Sequence, residues 1–221
     1  MTMIADPTAS MTMRHAMVAS QLRTNAVSDQ RVLAAMARVP RENFVPAEAR
    51  TIAYRDTAVA LGGGRQLNPP MVTGRLLTEA DLSYGDRVLL IGAATGYTAA
   101  ILAQIVATVT AVEEDHALIA QARVTLREIE TIELVEVRLT EGHQAGAPYD
   151  VLIIDGAIQA IPGALIGQVR SGGRVVSGIV ESGVTRLASG RKSTGGFGLA
   201  AFADADCVVL PGFAQPRGFS F

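Results

Sequence analysis

Short apolar runs alternate with amphipathic segments through the central part of the chain. The runs are made largely of Val, Leu, Ile, Ala and Thr, which is typical of strands buried on both faces of a parallel sheet. Strands that alternate with helices indicate βαβ units with right-handed crossovers. We predict strands at residues 87–91, 108–112, 134–139, 151–154 and 174–176, and helices at residues 97–105, 116–130 and 164–169.

The N-terminal part, residues 11–60, is helical in pattern instead. Met13 and Met17 share one side of a first helix, and Ser28 is the candidate N-cap of a second helix that Pro40 ends. We expect the apolar sides of these helices to pack against the sheet or against another helix. The second helix presents Val32, Leu33, Met36 and Ala37 at helical spacing.

Two segments lie outside this pattern. Residues 61–71 form a stretch rich in Gly and Pro, which predicts an irregular loop or a close approach of backbone to another group. Residues 184–221 are rich in Gly, Ser and Ala, and we predict a terminal antiparallel hairpin there. We expect a tail at residues 1–12 and a single domain at residues 13–221. Within that domain, a helical section with a loop (13–80) precedes the sheet and hairpin (81–221).

Composition narrows the classes of function. The apolar share of 49% and charged share of 18% suit a globular protein, and the net charge of −2 with no evident basic face argues against a nucleic-acid partner. No apolar stretch approaches the roughly 18 residues of a membrane span, and no secretory pattern is evident, so we expect a cytoplasmic protein. A metal site is not expected, because the potential ligands Cys207, His15, His116 and His143 are scattered.

A small-residue turn between a predicted strand and a predicted helix is the main candidate site. The turn reads GAATG at residues 92–96, and Glu113 ends the next strand. A carboxylate there can accept hydrogen bonds from both hydroxyls of a ribose. The dinucleotide fingerprint does not match, because Ala94 and Tyr97 stand where it has its second and third glycines. The sequence favours a nucleotide or adenosyl site, and an ordinary turn beside a surface Glu is the alternative.

From about residue 17 to residue 180, the chain resembles protein-L-isoaspartate O-methyltransferases. The helical N-terminal section and the string VPRENFVP are more specific to that family than the glycine turn is. The stretches that carry the resemblance are MVASQLR (17–23), RVLAAMARVPRENFVP (31–46), AYRD (53–56), LGGGRQLNPP (61–70), GDRVLLIGAATGYTAAILA (85–103), APYDVLIIDGA (147–157), IP (161–162) and GGRVV (172–176).

The resemblance implies a Rossmann-like class I methyltransferase fold. That fold has a mostly parallel seven-stranded sheet with helices on both faces, an N-terminal helical extension and a C-terminal antiparallel hairpin. The resemblance also implies S-adenosyl-L-methionine as cofactor and isoaspartyl-containing peptides or proteins as substrates, in a monomer or weak homodimer. In the reaction that the resemblance implies, the α-carboxylate is methylated, and the ester closes to a succinimide that reopens partly to aspartate. A carboxylate with a pKa near about 4 is already ionised at neutral pH, so the reaction needs no general base.

The resemblance also assigns roles to single residues. Gln66, Leu67 and Asn68 match the family's substrate loop, and Asn68 matches the serine beside the methyl-transfer site, which makes it the candidate catalytic residue. The cofactor-binding candidates are Gly92, Ala94, Thr95, Gly96, Tyr97, Glu113, Glu141 and Gly142.

The chain departs from the family at several of these positions. Asn68 replaces a serine, Gln66 a threonine, Leu90 an acidic residue and Ala94 the middle glycine of the turn. Asp155 replaces a small or hydroxylated residue. It is expected to be either a ligand-binding group or a helix N-cap. Three hypotheses follow: a working methyltransferase on damaged proteins, the same fold acting on a different carboxylate acceptor, or a non-catalytic relative with weak or no cofactor binding.

Overall fold

The computed structural model of the chain describes residues 7–215 and has a seven-stranded sheet at its centre. A two-stranded hairpin, β1 and β2, lies outside that sheet. Numbered along the chain, the strands are β1 (Val59–Gly62), β2 (Arg65–Leu67), β3 (Arg87–Ile91), β4 (Thr108–Glu113), β5 (Ile132–Glu136), β6 (Tyr149–Ile158), β7 (Val169–Glu181), β8 (Val184–Arg191) and β9 (Ala200–Asp204).

The strand order is β5-β4-β3-β6-β7-β8-β9. Strands β3 to β7 are parallel to one another, and β8 and β9 add to the β7 side as an antiparallel hairpin. This confirms the predicted fold class, including the mostly parallel seven-stranded sheet and the C-terminal hairpin. The carboxyl ends of β3, β4 and β6 lie side by side at the edge where parallel sheets bind ligands.

Helices cover both faces of the sheet. Successive residues of β3 belong to different hydrophobic clusters, with Leu90 on the face of the N-terminal helices and Leu89 on the face of α6. Burial on both faces explains why these strands read as unbroken apolar runs. The α-helices are α1 (Pro7–Ala16), α2 (Gln30–Arg38), α3 (Pro70–Glu79), α4 (Tyr97–Leu102), α5 (His116–Thr125) and α6 (Gly163–Gly167), with a π-helical turn at Met17–Leu22 and 3-10 turns at Arg23–Asn25, Arg41–Phe44, Ala47–Ile52 and Gln144–Gly146.

The N-terminal section is helical, as expected, but its capping differs from the prediction. Asp29, not Ser28, is the N-cap of α2, because the Asp29 carboxylate accepts a hydrogen bond from the Arg31 backbone N–H. Of the expected tail, residues 1–6 lie outside the described residues, and residues 7–12 belong to α1.

The glycine-rich stretch is more regular than predicted. β1 and β2 pair antiparallel around a turn made by three consecutive glycines, and we call residues 59–67 the glycine hairpin. Gly62, Gly63 and Gly64 have φ values of 96°, 58° and 79°, a run of left-handed conformations that only glycine adopts at little cost. The prediction of an irregular loop was therefore wrong for residues 61–67.

Strand β6 continues past its predicted end at residue 154 to Ile158. The continuation is paired with residues near the C-terminus: the Ala157 N–H donates to Val208 O at 2.7 Å, and the Leu210 N–H donates to Ala157 O at 2.9 Å. The predicted helix at 164–169 ends at Gly167 instead, because Val169 already pairs with Tyr149 as the start of β7. Within residues 7–215, no helix is both long and apolar enough to cross a membrane.

Candidate active site

The turn after β3 curls back against the end of β4. The backbone N–H groups of Gly92 and Ala93 both donate to Val112 O at 3.0 Å. Gly92, Ala94 and Gly96 have φ values of 82°, 50° and 98°, so Ala94 adopts a left-handed conformation despite its Cβ. At Gly96 an added Cβ would lie 2.6 Å from Leu126 Cδ1, so this glycine lets α4 pack closely against its neighbours.

Glu113 ends β4 directly beside this turn and is completely buried. Its carboxylate accepts hydrogen bonds from the backbone N–H groups of Ala94 at 2.7 Å, Glu114 at 2.9 Å and Asp115 at 3.0 Å. The structure therefore brings together the two features, the turn and the carboxylate, on which the adenosyl-site prediction rests.

Arg65, from β2, also binds this carboxylate. Its Nη1 and Nη2 atoms donate to the two Glu113 oxygens at 2.5 and 2.9 Å, which makes a bidentate ion pair. Arg65 is only 7% exposed, so the pair is screened little by solvent. The sequence carries no signal for this contact, because it joins residues 48 positions apart.

Asn68 lies at the end of the glycine hairpin and is 2% exposed. Its Nδ2 donates to Asp155 Oδ1 at 2.8 Å, while its Oδ1 accepts the backbone N–H of Val208 at 2.9 Å and contacts Cys207 Sγ at 3.5 Å. Both ends of the amide are thus engaged within the chain. Of the other loop residues, Gln66 is exposed and Leu67 is buried.

Asp155 lies inside β6, so its predicted alternative as a helix N-cap was wrong; Pro162 precedes α6 in that position. Thr98 donates to the second Asp155 oxygen at 2.5 Å. Burial raises the pKa of Asp155, and the hydrogen bonds from Thr98 and Asn68 oppose that rise.

Residues 207–213, which we call the C-terminal segment, cross the carboxyl ends of β3 and β6. A Cβ added at Gly92 would lie 3.1 Å from Leu210 Cδ1, and one added at Gly156 would lie 2.5 Å from Leu210 Cγ. Phe213 is buried in the same cluster as Leu210. The segment belongs to residues 184–221, where a terminal hairpin was predicted, but the hairpin itself ends with β9 at Asp204.

The remaining cofactor candidates face other parts of the chain. Thr95 donates to Phe44 O at 2.6 Å, and the buried Tyr97 ring lies 4.7 Å from the Arg41 guanidinium carbon. The Glu141 side chain is exposed. Gly142 is buried with a φ of 65°. Leu90, where the family has an acidic residue, is fully buried in the cluster of the N-terminal helices.

Two elements contact the predicted adenosyl site within the chain. The Glu113 carboxylate is saturated by five donors, and Leu210 covers Gly92. The turn at residues 92–96 and Glu113, both predicted to bind the cofactor, therefore lie together, and Arg65 and the C-terminal segment lie next to them.

Comparison with known proteins places the chain in a family. The family model described as protein-L-isoaspartate(D-aspartate) O-methyltransferase matches residues 13–203. A protein-L-isoaspartate O-methyltransferase 1 of Rhodopseudomonas palustris is 38% identical over 174 residues, covering 77% of this chain and 71% of that protein. One from Koribacter versatilis is 34% identical over 201 residues, covering 90% of each chain.

Solved structures agree at the level of the fold. A protein-L-isoaspartate O-methyltransferase structure matches 92% of this chain and 66% of its own with a TM-score of 0.76 and 21% identity. A beta-aspartate methyltransferase from Plasmodium falciparum, in complex with S-adenosyl-L-homocysteine, matches 89% of this chain and 97% of its own with a TM-score of 0.76 and 16% identity. On the match to the family model and to these relatives, the chain belongs to the protein-L-isoaspartate(D-aspartate) O-methyltransferase family.

Proposed function

We propose that the chain transfers the methyl group of S-adenosyl-L-methionine to the α-carboxylate of isoaspartyl residues in damaged peptides or proteins. Membership of the family supports this reaction. The structural observation that carries it is the contact between the Glu113 carboxylate and the Ala94 N–H, at the ligand-binding edge of the sheet. We further propose that the protein works in the cytoplasm as a monomer or weak homodimer.

On the cofactor side, Glu113 would accept hydrogen bonds from the ribose, and the turn around Glu141 and Gly142 would border the adenine. That turn is held in place by Gln168, whose Nε2 donates to Glu141 O at 2.7 Å. The cofactor, when bound, supplies the methyl group. Arg65 must leave Glu113 before the ribose can bind there.

On the acceptor side, the chain needs to position an anion and exclude water. We propose that Asn68 Nδ2 donates a hydrogen bond to the acceptor carboxylate, in place of its present bond to Asp155. A second carboxylate beside Asp155 would be repelled if Asp155 were ionised. Burial already favours the protonated form of Asp155, and this reduces the repulsion.

A different carboxylate acceptor is the second candidate. It is favoured by the Asn68–Asp155 contact, because this amide and carboxylate give the acceptor side a shape and polarity that a serine would not. Methyl transfer from radiolabelled S-adenosyl-L-methionine separates the two candidates.

The assay compares an isoaspartyl peptide with its aspartyl twin, each incubated with the protein at neutral pH. Base-labile label on the isoaspartyl peptide alone is the expected result. Label on neither peptide, from a protein that still binds S-adenosylhomocysteine, would contradict isoaspartyl repair and favour another acceptor.

A further inference from the structure

The hydrogen bonds around Glu113 leave no room for another donor. A carboxylate has about four lone-pair sites, and five donors already point at this one. The N–H groups of Ala94, Glu114 and Asp115 are fixed by the turn and by the end of β4. Arg65 is the donor carried by a different element, so it is the one that a ribose hydroxyl could displace.

The element that carries Arg65 lies outside the seven-stranded sheet. Among residues 7–215, the strands of the glycine hairpin pair only with each other. A lone two-stranded hairpin is marginally stable, and tertiary contacts hold it in place. An added Cβ at Gly62 or Gly64 would meet nothing within 4 Å, so the turn has open space on both sides of Gly63. Three consecutive glycines supply the backbone freedom for a hinge.

The hairpin is also tied to the C-terminal segment. Asn68 ends the hairpin and accepts the N–H of Val208 at 2.9 Å, and two residues later Leu210 lies against Gly92. The same region of the site is therefore closed from two directions, by Arg65 at Glu113 and by Leu210 at Gly92. Because Asn68 links the two elements, we expect them to open together.

From these contacts we infer that Arg65 is an autoinhibitory residue. Its guanidinium holds the carboxylate that the ribose needs, and the C-terminal segment covers the adjoining glycine. A nucleoside ligand binds only by displacing both. This inference rests on the proposed function, since it assumes that the ligand is S-adenosylmethionine or its product.

Calorimetric titration with S-adenosylhomocysteine tests the inference. The variant is Arg65→Met, which keeps the length of the side chain and removes its donors. The matched control is Arg23→Met, because Arg23 is exposed and also loses one positive charge. We expect Arg65→Met to bind at least about tenfold more tightly than the wild-type protein, and Arg23→Met to bind as the wild type does.

The outcomes separate the inference from the proposed function. If the wild type binds and Arg65→Met binds no more tightly, the inference is overturned and the function stands. If neither binds at millimolar ligand, both are overturned, because removing Arg65 has not made a site. Binding by Arg65→Met with none by the wild type supports both.

Hydrogen exchange on the wild-type protein gives a second readout that needs no variant. Saturating S-adenosylhomocysteine is expected to increase exchange at residues 62–68 and 207–213, including the Val208 N–H that bonds Asn68. Bound ligand with unchanged protection at these amides would overturn the inference.

Discussion

Arg65 and Glu113 form a buried ion pair, but only Glu113 also has hydrogen bonds to the backbone. The Glu113 carboxylate accepts hydrogen bonds from three backbone N–H groups as well as from the guanidinium. The described hydrogen bonds of the Arg65 side chain, in contrast, all go to Glu113. Removing one partner of a buried pair is costly because the other charge stays buried without compensation. The two single substitutions should therefore differ in their effect on stability.

We expect Glu113→Ala to lower the free energy of unfolding by about 3–5 kcal/mol, the usual loss when a buried pair is broken. Arg65→Met should cost at least about 1 kcal/mol less, because the backbone donors still stabilise the Glu113 carboxylate. Urea unfolding followed by circular dichroism measures both values. Equal losses would show that the backbone hydrogen bonds do not support Glu113 as described.

Glu113 should also govern ligand affinity. We expect Glu113→Gln, which keeps the size of the side chain, to weaken S-adenosylhomocysteine binding by about 1–3 kcal/mol through the loss of charged hydrogen bonds. The exposed Glu128→Gln is the control for lost negative charge. The affinities are compared in the Arg65→Met background, where the substitution breaks no ion pair. The same affinity with and without Glu113→Gln would contradict the assignment of the ribose to Glu113.

The raised pKa of Asp155 should make the free energy of unfolding depend on pH. Its pKa in the fold is raised above the unfolded value of about 3.9, so the folded state binds more protons than the unfolded state between the two values. Stability from this group is fully present below about pH 3.9 and is lost as the pH rises through the raised folded pKa. Relative to Asp155→Asn, the wild type should become less stable as the pH rises.

Unfolding of the wild type and Asp155→Asn in urea between pH 4 and pH 8 measures this difference. Asparagine can accept from Asn68 and donate to Thr98, so the variant retains hydrogen bonds to both neighbours. A difference that is constant with pH, or that grows in favour of the wild type, would contradict the raised pKa.

The turn glycine Gly96 should not tolerate a side chain. Its φ of 98° is strained for alanine, and the added Cβ would press on Leu126. We expect Gly96→Ala to lower the free energy of unfolding by at least about 1–2 kcal/mol. Gly85→Ala is the control, because Gly85 is exposed and an added Cβ there meets nothing within 4 Å. Thermal unfolding that is the same for both variants would be inconsistent with this packing.

The fold was largely predictable because its determinants are local. Strands β3 and β4 are buried on both faces, so they read as apolar runs, and Glu113 was placed correctly at the end of β4. The predicted boundaries were wrong where a distant partner decides them. β6 extends to Ile158 because Ala157 and Ile158 pair with β7, and Val208 and Leu210 also bond Ala157. Such a partner leaves no signal in the strand's own sequence.

The candidate site was predictable only in part, for the same reason. The Gly92 turn and Glu113 belong to consecutive strands whose carboxyl ends meet, so their contact follows from the fold. Nothing in the sequence around Arg65 indicates that it is buried against a carboxylate. The position of Leu210 over Gly92 likewise depends on how the chain returns across the sheet. The spacing of apolar residues along the sequence does not predict that path.

A crystal structure of the protein with S-adenosylhomocysteine tests the central claim most directly. The account predicts ribose hydroxyls within hydrogen-bond distance of the Glu113 carboxylate, the Arg65 guanidinium withdrawn from it, and Leu210 moved off Gly92. Ligand bound at another place, with Arg65 and Glu113 still paired, would contradict the account.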